Sequence, residues 1–145
     1  MEGQKKVIND LLVEVFNHIL SIEGMNLKRK GVKLSMNEIH VLEAIVKTST
    51  PTMTNISKRL RITVGTLTTA INRLVEKGFC TRYSDSLDKR KVYIKNTQTA
   101  IDVLKIHDEF HDEMVDALFE DMNLHEDKLL LNSLENLNEY FKQKY

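Results

Sequence analysis

The stretch that decides the fold runs from Thr63 to Phe79 and reads TVGTLTTAINRLVEKGF. Its large apolar residues recur at helical spacing and predict an amphipathic helix with one buried face: Val64, Leu67, Ile71 and Leu74. Thr63 is suited to cap the start of this helix, and Gly78 is suited to end it in the left-handed conformation. The other face carries small and polar side chains and is therefore free for a partner: Gly65, Thr66, Thr68, Thr69, Asn72 and Arg73.

The flanking segments complete a recognisable order of elements. A capping box, Ser35-Met36-Asn37-Glu38, opens a helix whose predicted inward residues are Ile39, Leu42, Ile45 and Val46. Pro51 ends that unit, and Thr52 is placed to cap a short helix through Leu60. Residues 79–83 and 92–94 read as two β-strands joined by a charged loop. Helix, short helix, turn, helix and hairpin in this order indicate a winged helix-turn-helix.

Long helices are predicted at both ends of the chain. Residues 7–20 carry two rows of apolar side chains at i, i+4 spacing, a stripe wide enough to need a second subunit. Asn96 or Thr97 caps a long helix, and Asn123-Leu124-His125-Glu126 is a cap before a final leucine-rich helix. The expected fold is mainly α, with six helices and a β-hairpin wing, dimerised through the N- and C-terminal helices. The expected segments are 1–34 (dimerisation and a possible ligand pocket), 35–96 (DNA binding) and 97–145 (dimerisation).

Charge is distributed unevenly along a chain of zero net charge. Residues 26–95 hold fifteen basic and five acidic side chains, a net charge of +10, whereas residues 96–145 have a net charge of −8. A basic region of this kind is the electrostatic footprint of a nucleic-acid-binding surface. Cys80 is the single cysteine, so no internal disulfide can form, and it is expected to be a small buried hydrophobe. Without an apolar membrane span or leader, the protein is expected in the cytoplasm.

The polar face of the Thr63–Phe79 helix is expected to read DNA. Asparagine and arginine pair bidentately with adenine and guanine, so base contacts are assigned to Thr66, Thr69, Asn72 and Arg73. Gly65 allows a phosphate to approach closely. Contacts to phosphates or to an A·T-rich minor groove are assigned to Lys58, Thr68, Lys89 and Arg90. Asp88 is expected to orient Arg90 rather than to touch DNA.

These residues resemble the MarR family of transcriptional regulators. Ile62–Thr69 and Leu74–Phe79 look like the family's recognition helix, and Asp85–Arg90 resembles its wing motif Asp-x-Arg-Asp-x-Arg. The chain departs from the family's pattern at two positions. Leu87 stands where the wing motif often has arginine, and Asn96, before Thr97, stands where the family commonly has leucine. The segment VFNHIL at 15–20 is similar to the branch of fatty-acid-synthesis repressors of the FabT type. That resemblance implies a dimer on a pseudo-palindromic site, and a long-chain acyl group on acyl carrier protein as corepressor.

A second basic cluster fits such an acidic partner. It lies between the first two predicted helices and consists of Lys28, Arg29, Lys30 and Lys33. A solvated connector or additional phosphate contacts would explain the same residues. The cluster is therefore interpreted as a candidate docking site for acyl carrier protein.

Three alternatives remain open. The chain could be a MarR-type regulator released from DNA by a small aromatic or drug-like ligand, or a winged-helix module that binds protein instead of DNA. His107 and His111 have the i, i+4 spacing of a zinc protease helix, but Asp108 stands where the catalytic glutamate should follow. We therefore expect no enzymatic activity, no catalytic residue, no cofactor and no metal.

Overall fold

The computed structural model describes residues 1–120 and 128–145. Within them lie six helices and one two-stranded sheet, as predicted: α1 (Glu2–Arg29), α2 (Met36–Lys47), α3 (Met53–Leu60), α4 (Val64–Glu76), β1 (Cys80–Ser84), β2 (Val92–Asn96), α5 (Gln98–Phe119) and α6 (Lys128–Lys144). The predicted cap Asn123–Glu126 lies outside the described residues. The chain divides into two compact units, residues 1–110 and residues 111–145, so the division falls within α5.

The winged helix in the first unit is built around the apolar faces of α2, α3 and α4. The fully buried side chains of these helices include Ile39, Leu42, Ile56, Leu67, Ile71 and Leu74. Val46 and Val64, predicted to be buried, are instead 63% and 44% exposed. Both lie in terminal turns of their helices, where fewer neighbouring elements cover the helix face.

Side-chain caps fix where these helices begin. The Ser35 hydroxyl accepts from the Glu38 backbone N–H at 3.2 Å, while the Glu38 carboxylate accepts from the Ser35 N–H at 2.9 Å, the reciprocal capping box that the sequence predicts. The Thr52 hydroxyl accepts from the Asn55 backbone N–H at the start of α3, and the Thr63 hydroxyl accepts from the Thr66 backbone N–H at the start of α4. Arg61, with φ of 55°, turns the chain between the two helices in the left-handed conformation.

The end of α4 is tied to the start of α5. Gly78 has φ of 79°, which only glycine adopts at low cost. The Thr97 hydroxyl donates to the Gly78 carbonyl at 2.7 Å, and the Thr97 backbone N–H donates to the Phe79 carbonyl at 3.0 Å. Thr97 Oγ1 also accepts from the Ala100 N–H, so Thr97 rather than Asn96 caps α5. Asn96 is buried and its amide donates to the Leu42 carbonyl.

The hairpin is anchored to the helices at its second strand. β1 and β2 are antiparallel with Cys80 opposite Asn96 and Tyr83 opposite Tyr93, whose rings stack at 5.3 Å. The Ile94 N–H donates to the Pro51 carbonyl, and Tyr93 forms a β-bridge with Thr52. The base of the wing is therefore hydrogen-bonded to the junction between α2 and α3.

The first helix is longer than the predicted segment 7–20. It continues to Arg29 because Glu23 and Leu27, one turn apart, are both buried, and it ends before Gly31, which has φ of 78°. Lys28 and Arg29 are thus in its last turn and not in a connector. Its apolar residues from 7 to 20 are largely exposed, and so are the leucines of α6. No described helix is long and apolar enough to cross a bilayer.

Candidate nucleic-acid interface

The outer face of α4 is polar and accessible along its length. Leu67, Ile71 and Leu74 are fully buried, whereas Thr66, Thr69 and Arg73 are exposed. Thr68 is half-buried, and its hydroxyl donates to the Val64 carbonyl at 2.8 Å. Most of the predicted DNA-contacting face is therefore presented to solvent by the same helix whose other face fills the core.

Gly65 is not required by the fold of α4. Its φ is not positive, and a Cβ added there would meet nothing closer than the Thr63 hydroxyl at 3.9 Å. Alanine would fit this position and would favour the helix by about 1 kcal/mol. The space that glycine leaves is consequently on the exposed side of the helix.

Asn72 is held by a residue that the sequence analysis did not single out. Arg82, in β1, donates from Nη2 to Asn72 Oδ1 at 2.5 Å, and both residues are exposed. Bidentate reading of adenine requires the amide oxygen as an acceptor as well as the amide nitrogen as a donor. With that oxygen accepting from Arg82, the two residues act as one group that presents amide and guanidinium donors. The alternation of side chains along β1 was the available signal for Arg82.

The wing tip is ordered by its two aspartates. Asp85 Oδ1 accepts from the Leu87 N–H, and Asp88 Oδ1 accepts from the Arg90 N–H at 3.0 Å and from Arg90 Nε at 3.2 Å. The hydrogen bonds from Arg90, the backbone one first, lower the pKa of the Asp88 carboxyl. The Arg90 side chain is 92% exposed, so its guanidinium is oriented by Asp88 yet remains available to DNA. Lys89 is exposed beside it, and Lys58 is exposed on α3.

A groove of about 810 Å³ lies between α2 and α4. Thr66, Thr69 and Arg73 line one wall, and His40 lines the other. An ion pair of 2.7 Å between Lys77 and Glu38 joins the two helices there. Burial raises the pKa of the Glu38 carboxyl, but hydrogen bonds from Lys77 and from the Ser35 backbone outweigh it, so the pKa is lowered overall.

The four residues of the second basic cluster, Lys28, Arg29, Lys30 and Lys33, are all exposed. The first two occupy the last turn of α1, where cations interact favourably with the helix dipole. The structure thus leaves this cluster accessible at the C-terminal end of α1.

Sequence reasoning missed a buried polar cluster in the first unit. His107 of α5 is 1% exposed, and its Nε2 lies 3.5 Å from Glu43 Oε1 and 3.8 Å from Glu23 Oε1. These three residues come from α5, α2 and α1, and nothing in the local pattern of any one segment connects them. Cys80, by contrast, is buried as predicted, and burial raises the pKa of its thiol to about 11.

Solved structures with the same architecture include a protein in complex with DNA. Streptococcus pneumoniae FabT in complex with DNA is 30% identical, with a TM-score of 0.88 over 97% of this chain and 99% of that one. Two more distant structures share the fold. BldR from Sulfolobus solfataricus is 22% identical, with a TM-score of 0.66 over 97% of this chain and 96% of that one. Staphylococcus aureus MarR in complex with salicylate and kanamycin is 17% identical, with a TM-score of 0.76 over 99% of this chain and 96% of that one. No curated protein sequence matches significantly.

The winged helix with its exposed polar α4 and basic wing defines a DNA-binding transcriptional regulator rather than an enzyme. The profile of the MarR family matches residues 34–92, and the similarity to FabT extends over nearly the whole chain. The chain belongs to the MarR family.

Proposed function

We propose that this regulator represses fatty-acid biosynthesis genes as a homodimer and that acyl carrier protein bearing a long acyl chain is its corepressor. The observation that carries the proposal is the 30% identity to Streptococcus pneumoniae FabT across 97% of the chain, compared with 22% and 17% for BldR and Staphylococcus aureus MarR. A role on chromosomal DNA agrees with a cytoplasmic protein.

The proposed DNA contacts follow from exposure and chemistry. Thr66, Thr69 and Arg73 read base edges in the major groove, and Asn72 contributes through its pair with Arg82. Gly65 admits a phosphate next to the helix. Phosphates or a narrow A·T-rich minor groove are contacted by Lys58, Thr68, Lys89 and Arg90, with Asp88 as the support of Arg90.

A dimer is supported by the apolar surface left on the terminal helices. In the first unit, Val7, Ile8, Leu11 and Phe16 of α1 are each more than half exposed. In the second unit, α6 has no buried residue. Exposed apolar surface of this extent marks an interface in a folded protein. A two-fold dimer places two recognition helices about one DNA turn apart, roughly 34–36 Å, on a pseudo-palindromic site.

The corepressor is assigned to the exposed basic cluster at the end of α1. Acyl carrier proteins are acidic, so Lys28, Arg29, Lys30 and Lys33 would attract and hold one electrostatically. The acyl chain would then enter the apolar region between helices. The corepressor can favour the DNA-binding state only if it binds that state more tightly than the other.

The test is DNA binding by the full-length protein, measured on genomic fragments with and without acyl-acyl carrier protein. We expect protected sites upstream of fatty-acid biosynthesis genes and tighter binding when the acylated carrier is added. The double variant R29E/K30E should keep its binding without carrier and lose the enhancement. The control K5E/K6E makes the same charge change at the other end of α1 and should keep both.

Loss of DNA binding by R29E/K30E without the carrier would assign the cluster to phosphates instead. Enhancement that survives in R29E/K30E would place docking elsewhere. Protection confined to other genes, or release by phenolic acids with no effect of the carrier, would favour a regulator controlled by a small aromatic ligand.

A further inference from the structure

The tip of the wing carries an apolar side chain where turn residues are normally polar. Residues 85–91 join β1 to β2, and glycine, proline, asparagine, aspartate and serine dominate such connections. Leu87 lies within this segment and is 95% exposed. Among the residues that the structure describes, no large apolar side chain is more exposed. A residue that departs from local turn chemistry without gaining any packing is expected at a functional position.

Hydrogen bonds within the loop hold Leu87 in place. Its backbone N–H donates to Asp85 Oδ1 at 2.9 Å. The Asp85 N–H donates to the Lys91 carbonyl at 3.3 Å, and the Lys91 N–H donates to the Asp88 carbonyl at 3.1 Å. The loop is therefore closed by its own contacts, so a partner that covers Leu87 has little backbone left to order.

The charges around Leu87 favour DNA as the partner that covers it. Lys89, Arg90 and Lys91 follow within four residues, and all three are exposed. An apolar surface on another protein would have to cover these cations as well, which is costly without matching anions. The phosphates on both sides of a DNA groove neutralise cations of this kind.

The minor groove of A·T pairs suits an alkyl side chain between cations. This groove is about 6 Å wide, and its walls are deoxyribose rings that offer apolar C–H surface. A·T pairs present only acceptors on its floor, whereas G·C pairs add the amino group of guanine. Leucine cannot accept a hydrogen bond from that amino group, so covering it would leave a buried donor unpaired. The acceptors of A·T pairs can bond to a neighbouring arginine, which Arg90 supplies.

We propose that Leu87 packs against the sugar walls of the minor groove at A·T pairs and excludes guanine there. Leu87 is then a specificity-determining residue, while Arg90 provides charge and hydrogen-bond donors. The proposal rests on the minor-groove contacts assigned to the wing under the proposed function. It does not depend on the regulated genes or on the corepressor.

The test uses the full-length protein and an operator selected from random duplexes, with affinity measured by fluorescence anisotropy at several salt concentrations. L87A and L87N should each weaken binding about tenfold, because alkyl surface no longer leaves water on binding. The salt slope should stay unchanged, since no phosphate contact is lost. L87M keeps an apolar side chain and should bind as the unchanged protein does. The control V46A shortens an apolar side chain of α2 that is 63% exposed and lies outside the proposed contacts, and it should also bind normally.

Modified operators test the minor groove directly. Replacing adenine by 2,6-diaminopurine adds an amino group to the minor groove and leaves the major-groove edge as it was. At the pairs beneath the wing this should weaken binding by the unchanged protein about tenfold, and L87A should lose that penalty.

Circular dichroism checks that each variant is folded. The inference is overturned if folded L87A and L87N bind the selected operator with undiminished affinity, or if the diaminopurine penalty persists in L87A. In either case R90A shows how far the failure extends. A reduced salt slope in R90A would leave the wing contacts standing and remove only the role of Leu87, whereas an unchanged slope would remove both.

Discussion

Truncating Arg90 to alanine should reduce the salt dependence of DNA binding by a calculable amount. The Arg90 side chain is 92% exposed, and its ion pair with Asp88 is at the surface, so the variant should fold normally. Each cation that neutralises a phosphate contributes about −0.9 to the slope of log affinity against log salt. The effect should therefore appear in DNA binding and not in stability.

The magnitude follows from the number of exposed cations assigned to the backbone. These cations are Lys58, Lys89 and Arg90, so a dimer makes about six phosphate contacts. Six contacts give a slope of roughly −5, which corresponds to about a thousandfold loss of DNA affinity between 50 and 200 mM salt. R90A removes two contacts per dimer, which should bring the slope to roughly −3.6. Fluorescence anisotropy with a labelled operator, at several salt concentrations, measures both slopes.

Lys105 supplies the matched control because it is an exposed cation of α5 outside the winged helix. K105A should leave the slope unchanged. A slope that stays near −5 in R90A would refute the assignment of Arg90 to DNA, and a slope near zero in the unchanged protein would refute the basic wing and helix as the binding surface.

Three further predictions test the site, the local fold and the assembly. N72A and R82A should each weaken specific DNA binding, and their effects should be non-additive in a double-mutant cycle, since the two side chains contact each other; additive effects would mean that they act separately. E38Q should lower the free energy of unfolding by about 1 kcal/mol at pH 7, measured with urea, because it weakens the capping box. The pKa of Glu38 is lowered from 4.5, so its stabilisation is present above that pH and is lost as the pH falls below it; a deficit in E38Q that persists at pH 2 would contradict this. Removing residues 1–20 or 124–145 should abolish dimerisation and tight DNA binding together, and a truncated chain that still sediments as a dimer would place the interface elsewhere.

The order of elements was predictable because local signals mark most helix boundaries. The Ser35 capping box and the caps at Thr52 and Thr63 are satisfied within three residues, so the sequence contains both partners. The left-handed turn at Gly78 depends on one residue type. Predictions that rest on such short-range chemistry were confirmed, while the burial of Val46 and Val64 was wrong because it depends on which neighbours reach a terminal turn.

The candidate site was predictable only in part because some of its contacts join residues that are distant in sequence. The polar residues of α4 follow from helical periodicity alone. The contact of Arg82 with Asn72 depends on how β1 packs beside α4, and the cluster of Glu23, Glu43 and His107 joins three helices distant in sequence. The cluster leaves no periodic trace, and the alternation along β1 indicates the face on which Arg82 lies but not its partner. The extension of α1 to Arg29 was missed for the same reason, since its last turns are held by tertiary packing of Leu27.

Thr97 links the orientation of the recognition helix α4 to that of α5, although Thr97 itself is not one of the residues assigned to DNA. Its hydroxyl holds Gly78 and its backbone holds Phe79, so a tilt of the first turn of α5 is passed to the C-terminal end of α4. Valine at this position would keep the shape and remove the hydroxyl contacts, leaving the backbone bond to Phe79 as the tie between the two ends. Operator preference could thus change by substitution at Thr97 while every base-reading side chain stayed the same.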